Sequence, residues 1–195
     1  EYRISTLKNE YLLHNLELKD QDIIIDIGAN NGDFYLCFNN KIEYYGYEPS
    51  PTVFLNLVHN VKNQNLFNLG LSDTVNKSVQ FYLDDEGGNS SIVPINNYSK
   101  KISIETTTLD REIDKIQKKV KLIKLEAEGF EIEILHGLKK NLDQVEYLTV
   151  DCGFERGVDQ KSTIAECCNY LINNNFKMID FGYPRIVCLF KNMNY

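Results

Sequence analysis

Residues 23–28 constrain the fold of this chain more than any other segment. The run Ile23-Ile24-Ile25-Asp26-Ile27 is apolar except for one aspartate, and Gly28 follows it directly. A strand with one solvent-facing side alternates apolar and polar residues, and this run does not. Strands that are apolar on both faces belong to parallel sheets covered on both sides. We therefore expect a buried central strand that ends in a tight glycine turn.

Strand-like and helix-like patterns alternate along the rest of the sequence. The alternation predicts an α/β fold with a mostly parallel central sheet. Further strands are predicted at 43–48, 66–71, 79–83, 102–108, 120–125 and 147–151, with a closing antiparallel hairpin at 176–181 and 186–190. Helices are predicted from Asn30 or Asn31 to Phe38, from Pro51, at 130–141 and at 160–174. No repeat or linker interrupts residues 1–195, so we predict a single domain with a lead-in over 1–21.

The turn after the first strand has the features of a nucleoside-binding site. Gly28 lets the backbone approach a ligand closely, and the following helix start offers free N–H groups. Asp26 and Asp33 add negative charge suited to an ammonium or sulfonium group. Glu48 ends the second strand, where an acidic side chain accepts hydrogen bonds from ribose hydroxyls in nucleotide-binding α/β folds.

The glycine spacing distinguishes between possible nucleosides. A dinucleotide fingerprint needs G-x-G-x-x-G, whereas this turn offers only Gly28 and Gly32. The absent middle glycine is the one that lets the backbone approach a pyrophosphate. S-adenosylmethionine has no pyrophosphate, and we predict it as the ligand in place of NAD.

Several sequence blocks, in this order, resemble the FkbM family of methyltransferases: IIIDIGANNGDF, YYGYEPSPTVFLNLVHN, LGLSD, GGNSSI, TTTLD, LIKLEAEGFEIEILHGL and VDCGFERG. The resemblance covers most of the chain from Asp22 to Gly157. It implies a Rossmann-like class I methyltransferase fold, S-adenosylmethionine as donor, and often O-methylation of sugars in glycans, lipids or natural products. It also implies a donor site that is formed by Asp26, Gly28, Asn30 and Gly32, with Glu48 at the ribose and Ser72 and Asp73 near the adenine.

Glu126 and Glu128 are the candidate catalytic residues. They follow a predicted strand at the sheet edge where ligands bind in open α/β folds. Methylation of a hydroxyl needs removal of a proton, which a carboxylate base can accept. The family often has Asp at the position of Glu126, and for this reason the resemblance favours Glu126 as the base. The alternative is structural, with Glu128 capping the next helix and Glu126 in a salt bridge.

The acceptor side is predicted from two segments. Residues 84–101 form a polar, glycine- and serine-rich loop between two β-rich runs, and we expect it to cover the acceptor, with Ser90 and Ser91 in contact. Arg156 follows the strand at 147–151 and either binds an anionic or polyhydroxyl acceptor or pairs with Glu155. No spacing requires a metal, so none is predicted.

The net charge of −7 argues against nucleic acid as the main partner, because phosphate binding needs a basic face. No apolar run is long enough to span a bilayer and no signal-peptide pattern opens the chain, so a cytoplasmic protein is expected. The predicted partner is a small-molecule or glycan acceptor, and the sequence does not indicate an oligomeric state. A silent S-adenosylmethionine-binding interaction module, or an N- or C-methyltransferase, remains as an alternative.

Overall fold

The computed structural model of the protein describes residues 2–38, 42–84 and 88–195. Its strands are β1 (Ile23–Ile27), β2 (Glu43–Tyr47), β3 (Asn65–Phe67), β4 (Gly70–Leu71), β5 (Asn76–Leu83), β6 (Lys100–Thr107), β7 (Val120–Leu125), β8 (Val145–Asp151), β9 (Phe176–Phe181) and β10 (Val187–Asn192). Its α-helices are α1 (Tyr2–Glu10), α2 (Pro51–Asn60), α3 (Leu109–Ile116), α4 (Glu131–His136) and α5 (Ile164–Asn173).

Seven strands form the main sheet in the order β3-β2-β1-β7-β8-β10-β9. Neighbours from β3 to β8 are parallel, and β10 pairs antiparallel with both β8 and β9. All five residues of β1 are buried, as a central strand of a covered sheet requires. The α/β prediction and the closing antiparallel hairpin are both confirmed.

The single strand predicted for 66–71 is wrong, because the chain changes sheets within it. β3 extends the main sheet beside β2, whereas β4 joins β5 and β6 in a second sheet of three strands. Asn68 lies between them and donates to the backbone carbonyls of Glu48 and Pro49, at 2.8 and 3.1 Å. These contacts hold the bend. The second sheet then lies above the carboxyl ends of β1 and β2, and residues of both sheets line one cavity.

The helix predicted for 130–141 ends early, at His136. The Asp110 carboxylate accepts the backbone N–H groups of residues 139–141 at 2.9 to 3.1 Å and so takes them out of helical hydrogen bonding. The helix predicted for 160–174 begins late, at Ile164, because Arg156 and Lys161 form a backbone bridge before it.

Two further helices differ from the sequence analysis. The short helix after the glycine turn is a 3-10 helix (Asp33–Cys37). It begins after Gly32, whose backbone is left-handed, and not after Asn30 or Asn31. Helix α3 was not predicted. Its signals are a Thr108 side chain that caps the N–H of Arg111 at 3.3 Å and a buried stripe of Leu109, Ile113 and Ile116.

Residues 2–21 pack against the rest of the fold. α1 and the residues after it bury Leu7, Tyr11, Leu12 and Leu13 in a cluster with Phe34 and with the sheet face that carries Ile24 and Leu122. Tyr11 thereby reaches the carboxyl edge of β7. No helix in the described part of the chain is long and apolar enough to cross a membrane.

Candidate functional site

A cavity of about 680 Å³ lies at the carboxyl ends of β1, β2 and β7. Parallel strands bring their carboxyl ends to one edge, so residues distant in sequence converge there. The second sheet forms the opposite wall through Phe81, Leu83 and Ile92. Predicted site residues that line the cavity are Gly28, Asn30, Glu48, Ser90, Glu126 and Glu128.

The glycine turn is packed too tightly for a side chain. Gly28 has a φ of 72°, and a Cβ built there would lie 2.0 Å from the backbone oxygen of Glu126. The N–H groups of Gly28 and Ala29 both donate to the carbonyl of Tyr47 at 3.0 Å. The turn is therefore held against β2 and β7 together, and its backbone faces the cavity.

Glu48 connects this turn to the start of α2. Its buried carboxylate accepts from the backbone N–H of Asn30 at 3.0 Å and of Ser50 at 2.8 Å. Burial raises the pKa of Glu48 to about 7, against these hydrogen bonds, which lower it. Each oxygen keeps a lone pair that can accept from a ligand hydroxyl.

Lys124 lies under the turn, with its side chain only 2% exposed. Its ammonium donates to the carbonyls of Gly28 at 2.7 Å and Ile27 at 3.2 Å. It also pairs with Asp26 at 3.1 Å and Glu126 at 2.9 Å. Burial lowers the pKa of Lys124, but the charge of Asp26 leads the opposing effects and the net shift is upward. The lysine therefore stays charged and connects the turn to two carboxylates.

Asp26 does not reach the cavity with its carboxylate. The side chain is fully buried, accepts from the Tyr44 hydroxyl and pairs with Lys124. Its negative charge therefore acts on the site through the lysine, and direct contact with a ligand is not what the geometry offers.

Glu126 is engaged on both carboxylate oxygens. One accepts from the Tyr11 hydroxyl at 2.5 Å and pairs with Lys124, and the other pairs with Arg185. Arg185 also donates to Asp151 at 2.6 Å. Two cations and a phenol thus hold both carboxylate oxygens of Glu126.

Glu128 is in the opposite situation. Its backbone is left-handed (φ 50°), its carbonyl accepts from the Ser91 hydroxyl at 2.9 Å, and its Oε2 atom is buried without a hydrogen-bond partner among the described residues. Burial raises the pKa of Glu128 to about 8, helped by the charges of Glu155, Glu131 and Asp151. A carboxyl group of this kind is suited to proton transfer near neutral pH.

The structural alternative, in which Glu128 caps the next helix, does not hold. Helix α4 has no side-chain cap hydrogen bond at its start. The buried carboxylate of Glu131 instead holds the loop before the helix, because it accepts from the N–H groups of Ala127 and Gly129 at 2.9 and 3.1 Å. The salt-bridge alternative for Glu126 does hold.

Besides Asp26, four residues predicted for the donor site lie outside the cavity lining. Gly32 packs on α2, where a Cβ would lie 2.5 Å from Val61, and Asp33 pairs with Arg3 at the surface. The Ser72 hydroxyl donates to Asp73 at 3.0 Å, and the preceding residues 69–71 line the cavity instead. The change of sheets at β4 places those apolar residues at the wall.

Two residues predicted for the acceptor are likewise engaged elsewhere. Arg156 makes a bidentate pair with Glu133, at 2.9 and 2.5 Å, and also donates to the carbonyl of Gly129. Arg156 is not among the residues that line the cavity, and it pairs with Glu133 and not with Glu155 as one alternative predicted. Ser91 is buried and its hydroxyl donates to the backbone carbonyl of Glu128, whereas Ser90 lines the cavity.

Sequence reasoning missed Tyr11 and Arg185, and it noted Lys124 only as a neighbour of the carboxylates. Tyr11 is 115 residues from Glu126, in a segment without a motif. Arg185 comes from the turn between β9 and β10. The one available signal was Lys124, a lysine inside an otherwise buried strand, which predicts a charged partner.

Solved methyltransferases share this architecture. The magnesium protoporphyrin IX methyltransferase ChlM of Synechocystis PCC 6803, with bound S-adenosylmethionine, aligns at a TM-score of 0.54 and 12% identity, covering 98% of this chain and 78% of that one. An rRNA methylase of Streptococcus thermophilus aligns at 0.53 and 12%, covering 96% of both chains. The fold is that of the class I methyltransferases.

The family follows from the sequence match. The FkbM methyltransferase domain matches residues 26–178, and the chain belongs to this family. Enzymes of the family take their methyl group from S-adenosylmethionine, which confirms the expected cofactor. The hexuronic acid methyltransferase AglP of Haloferax volcanii is 26% identical over 176 residues, covering 82% of this chain and 68% of that protein.

Proposed function

We propose that this methyltransferase O-methylates a sugar hydroxyl, with Glu128 as the base. The observation that carries the proposal is the contrast between two neighbouring carboxylates in one cavity. Glu126 is paired with Lys124 and Arg185, while Glu128 has a buried oxygen without a partner among the described residues and a pKa raised to about 8. The sequence analysis favoured Glu126, and the contacts favour Glu128.

The cavity fits S-adenosylmethionine residue by residue. The turn at Gly28 leaves space that any side chain would fill, and the carbonyl of Glu126 closes it from β7. Glu48 is placed to accept from the ribose hydroxyls. The apolar wall of Leu69, Leu71 and Ile134 is suited to the adenine ring.

When bound, S-adenosylmethionine supplies an electrophilic methyl group on a sulfonium. The protein's part is to hold the acceptor oxygen in line with that carbon and to take the hydroxyl proton. Glu128 accepts the proton on its free oxygen. Glu126 pairs with Lys124 and so keeps the lysine, and with it the glycine turn, in position.

The sugar assignment rests on the relative named as a hexuronic acid methyltransferase and on the polar residues at the cavity mouth. Asp84 and Ser90 line the cavity on the side of the second sheet and offer oxygen atoms to hydroxyl groups. Hydroxyl-rich ligands need several such acceptors at fixed positions, because each buried hydroxyl must be paired.

The test uses the purified full chain with methyl-labelled S-adenosylmethionine and a panel of glycosides. We expect S-adenosylhomocysteine to bind with one-to-one stoichiometry in calorimetry, NAD not to bind, and label to appear on a sugar oxygen. Binding without transfer to any hydroxyl would contradict the proposal and favour a silent binding module. Transfer to nitrogen or carbon acceptors alone would replace O-methylation with the other chemistry.

A further inference from the structure

Tyr11 contacts Glu126 and both cations that pair with it. The Tyr11 hydroxyl donates to the Glu126 carboxylate at 2.5 Å. The Lys124 ammonium lies 5.5 Å and the Arg185 guanidinium carbon 5.1 Å from the centroid of its ring. The negative face of an aromatic ring attracts cations at such distances. One buried tyrosine therefore touches the carboxylate and each of its cationic partners.

Tyr11 is itself held from two sides. Its backbone carbonyl accepts from the Thr149 hydroxyl of β8 at 3.0 Å. Its ring meets Phe34, in the 3-10 helix that follows the glycine turn, edge to face with 5.0 Å between the centroids. Because packing has already fixed the ring, its hydroxyl loses little further conformational freedom when it binds the carboxylate.

Arg185 holds the other carboxylate oxygen of Glu126. Its guanidinium also donates to Asp151 at 2.6 Å and lies 3.8 Å from the carboxylate of Glu10, the last residue of α1. The planar fork of an arginine binds such partners in fixed directions. Arg185 thus joins the end of α1 and the carboxyl end of β8 to Glu126.

The position of Glu126 matters because of Lys124. That lysine shares its ammonium between Glu126, at 2.9 Å, and the carbonyl of Gly28, at 2.7 Å. A Glu126 side chain that is free to rotate would carry the ammonium with it, away from the carbonyl. With both oxygens held, the carboxylate stays where the lysine reaches it and the turn at once. Binding sites depend on such supporting contacts behind the residues that face the ligand.

Neither supporting residue lies in the segment that the family domain matches, residues 26–178. Tyr11 precedes that segment and Arg185 follows it. We infer that Tyr11 and Arg185 are positioning residues for donor binding, which hold the glycine turn in place through Glu126 and Lys124. The inference concerns the donor, so it is independent of the acceptor and of the base that the proposed function assigns.

The direct test measures binding of S-adenosylhomocysteine to the full chain by calorimetry. Tyr11→Phe keeps the ring and removes only the hydroxyl, and we expect the dissociation constant to rise about fivefold, the scale of one lost hydrogen bond. Tyr170→Phe is the matched control, because its hydroxyl donates to the carbonyl of Leu138 at 2.8 Å, outside the cavity lining. The control should keep the wild-type value. Equal affinity in Tyr11→Phe and the wild type would overturn the inference.

A double variant separates positioning from a general loss of stability. In a Glu126→Ala background the Tyr11 hydroxyl has no carboxylate to hold, so Tyr11→Phe should weaken donor binding no further. Two residues that act through one contact show this kind of non-additivity. A merely structural role for the tyrosine would give the same fold-loss in both backgrounds, and that result would contradict the inference.

Hydrogen exchange in the free protein reads the turn itself and needs neither donor nor acceptor. The N–H groups of Gly28 and Ala29 donate to the carbonyl of Tyr47, and both should exchange several-fold faster in Tyr11→Phe and in Arg185→Gln. Arg111→Gln removes the same charge from the exposed side of α3 and should leave both rates unchanged. Wild-type rates in Tyr11→Phe and Arg185→Gln would show that these residues do not position the turn.

Discussion

The ammonium of Lys124 donates a 2.7 Å hydrogen bond to the carbonyl of Gly28. This bond joins β7 to the turn that follows the neighbouring strand β1. The lysine is buried, and it also pairs with Asp26 and Glu126. A charge in such a place is stable only when its partners surround it. The position of the donor turn therefore depends on a side chain that does not line the cavity itself.

Replacing Lys124 should disrupt the donor turn. Lys124→Met keeps the length of the side chain but removes every hydrogen bond to the turn and leaves Asp26 as an unpaired buried charge. We expect a loss of about 3–5 kcal/mol in the free energy of unfolding, as for other broken buried pairs. S-adenosylhomocysteine should bind at least tenfold more weakly. Urea unfolding and calorimetry measure the two effects.

Two further variants separate the effect of Lys124 on donor binding from its effect on the stability of the fold. Lys121→Met removes a lysine from the same strand whose partner Glu146 is near the surface, and donor affinity should not change. Asp26→Asn combined with Lys124→Met removes both buried charges and should recover stability but not affinity. Recovery of both would show that Lys124 acts only on folding.

Glu48 is expected to bind the ribose. Glu48→Ala should weaken binding of S-adenosylhomocysteine by about 1.5–3 kcal/mol, the usual scale for hydrogen bonds to a charged group. Glu43→Ala is the control at the opposite end of β2, because Glu43 contacts Lys118 and Tyr45 away from the cavity. An unchanged dissociation constant in Glu48→Ala would place the ribose elsewhere.

Glu128 and Glu126 should differ in kinetics. Glu128→Gln keeps size and polarity but cannot accept a proton, so turnover should fall about 10²-fold or more with donor affinity nearly intact. The wild-type rate should rise with pH through about 8, where Glu128 ionises, and this rise should vanish in the variant. Glu126→Gln should keep the rise and lose thermal stability. The reverse pattern would return the role of base to Glu126.

The raised pKa of Glu128 also predicts how stability depends on pH. The folded pKa of about 8 exceeds the ordinary value of 4.5, so the folded state holds its proton more strongly than the unfolded state. Stability from this group is present below pH 4.5 and is lost as pH rises through about 8. Glu128→Gln does not ionise, so its melting temperature relative to wild type should rise between pH 5 and 9. Glu166→Gln, at an exposed site, should show no such change.

The loop at 84–101 remains predicted to cover the acceptor, apart from residues 85–87, which lie outside the described residues. Ser91 ties it to the backbone of Glu128, so ordering of the loop and position of the base are coupled. Hydrogen exchange of residues 88–101 should slow when S-adenosylhomocysteine and acceptor are both present. Strand β9, at the far edge of the main sheet, is the internal reference. Equal exchange with and without ligands would make the segment an ordinary surface loop.

The sequence alone determined the parts of this protein that depend on local pattern. A run apolar on both faces is a buried strand, and a glycine after it permits a left-handed turn, so β1 and Gly28 were predictable, as was β7 at 120–125. Glu48, Glu126 and Glu128 line the cavity at the sheet edge where the strand pattern puts them. Parallel strands meet at their carboxyl ends whatever the details of packing.

Only the tertiary structure decided which charges pair. Glu126 and Glu128 are separated by one residue and look equivalent in sequence. They differ because Tyr11 and Arg185, from opposite ends of the chain, contact the first and not the second. Arg156, which was predicted for the acceptor, pairs with Glu133 instead for the same reason. Ion pairs depend on distances across the fold, which local pattern does not encode, whereas strand burial and turn geometry depend on neighbours along the chain.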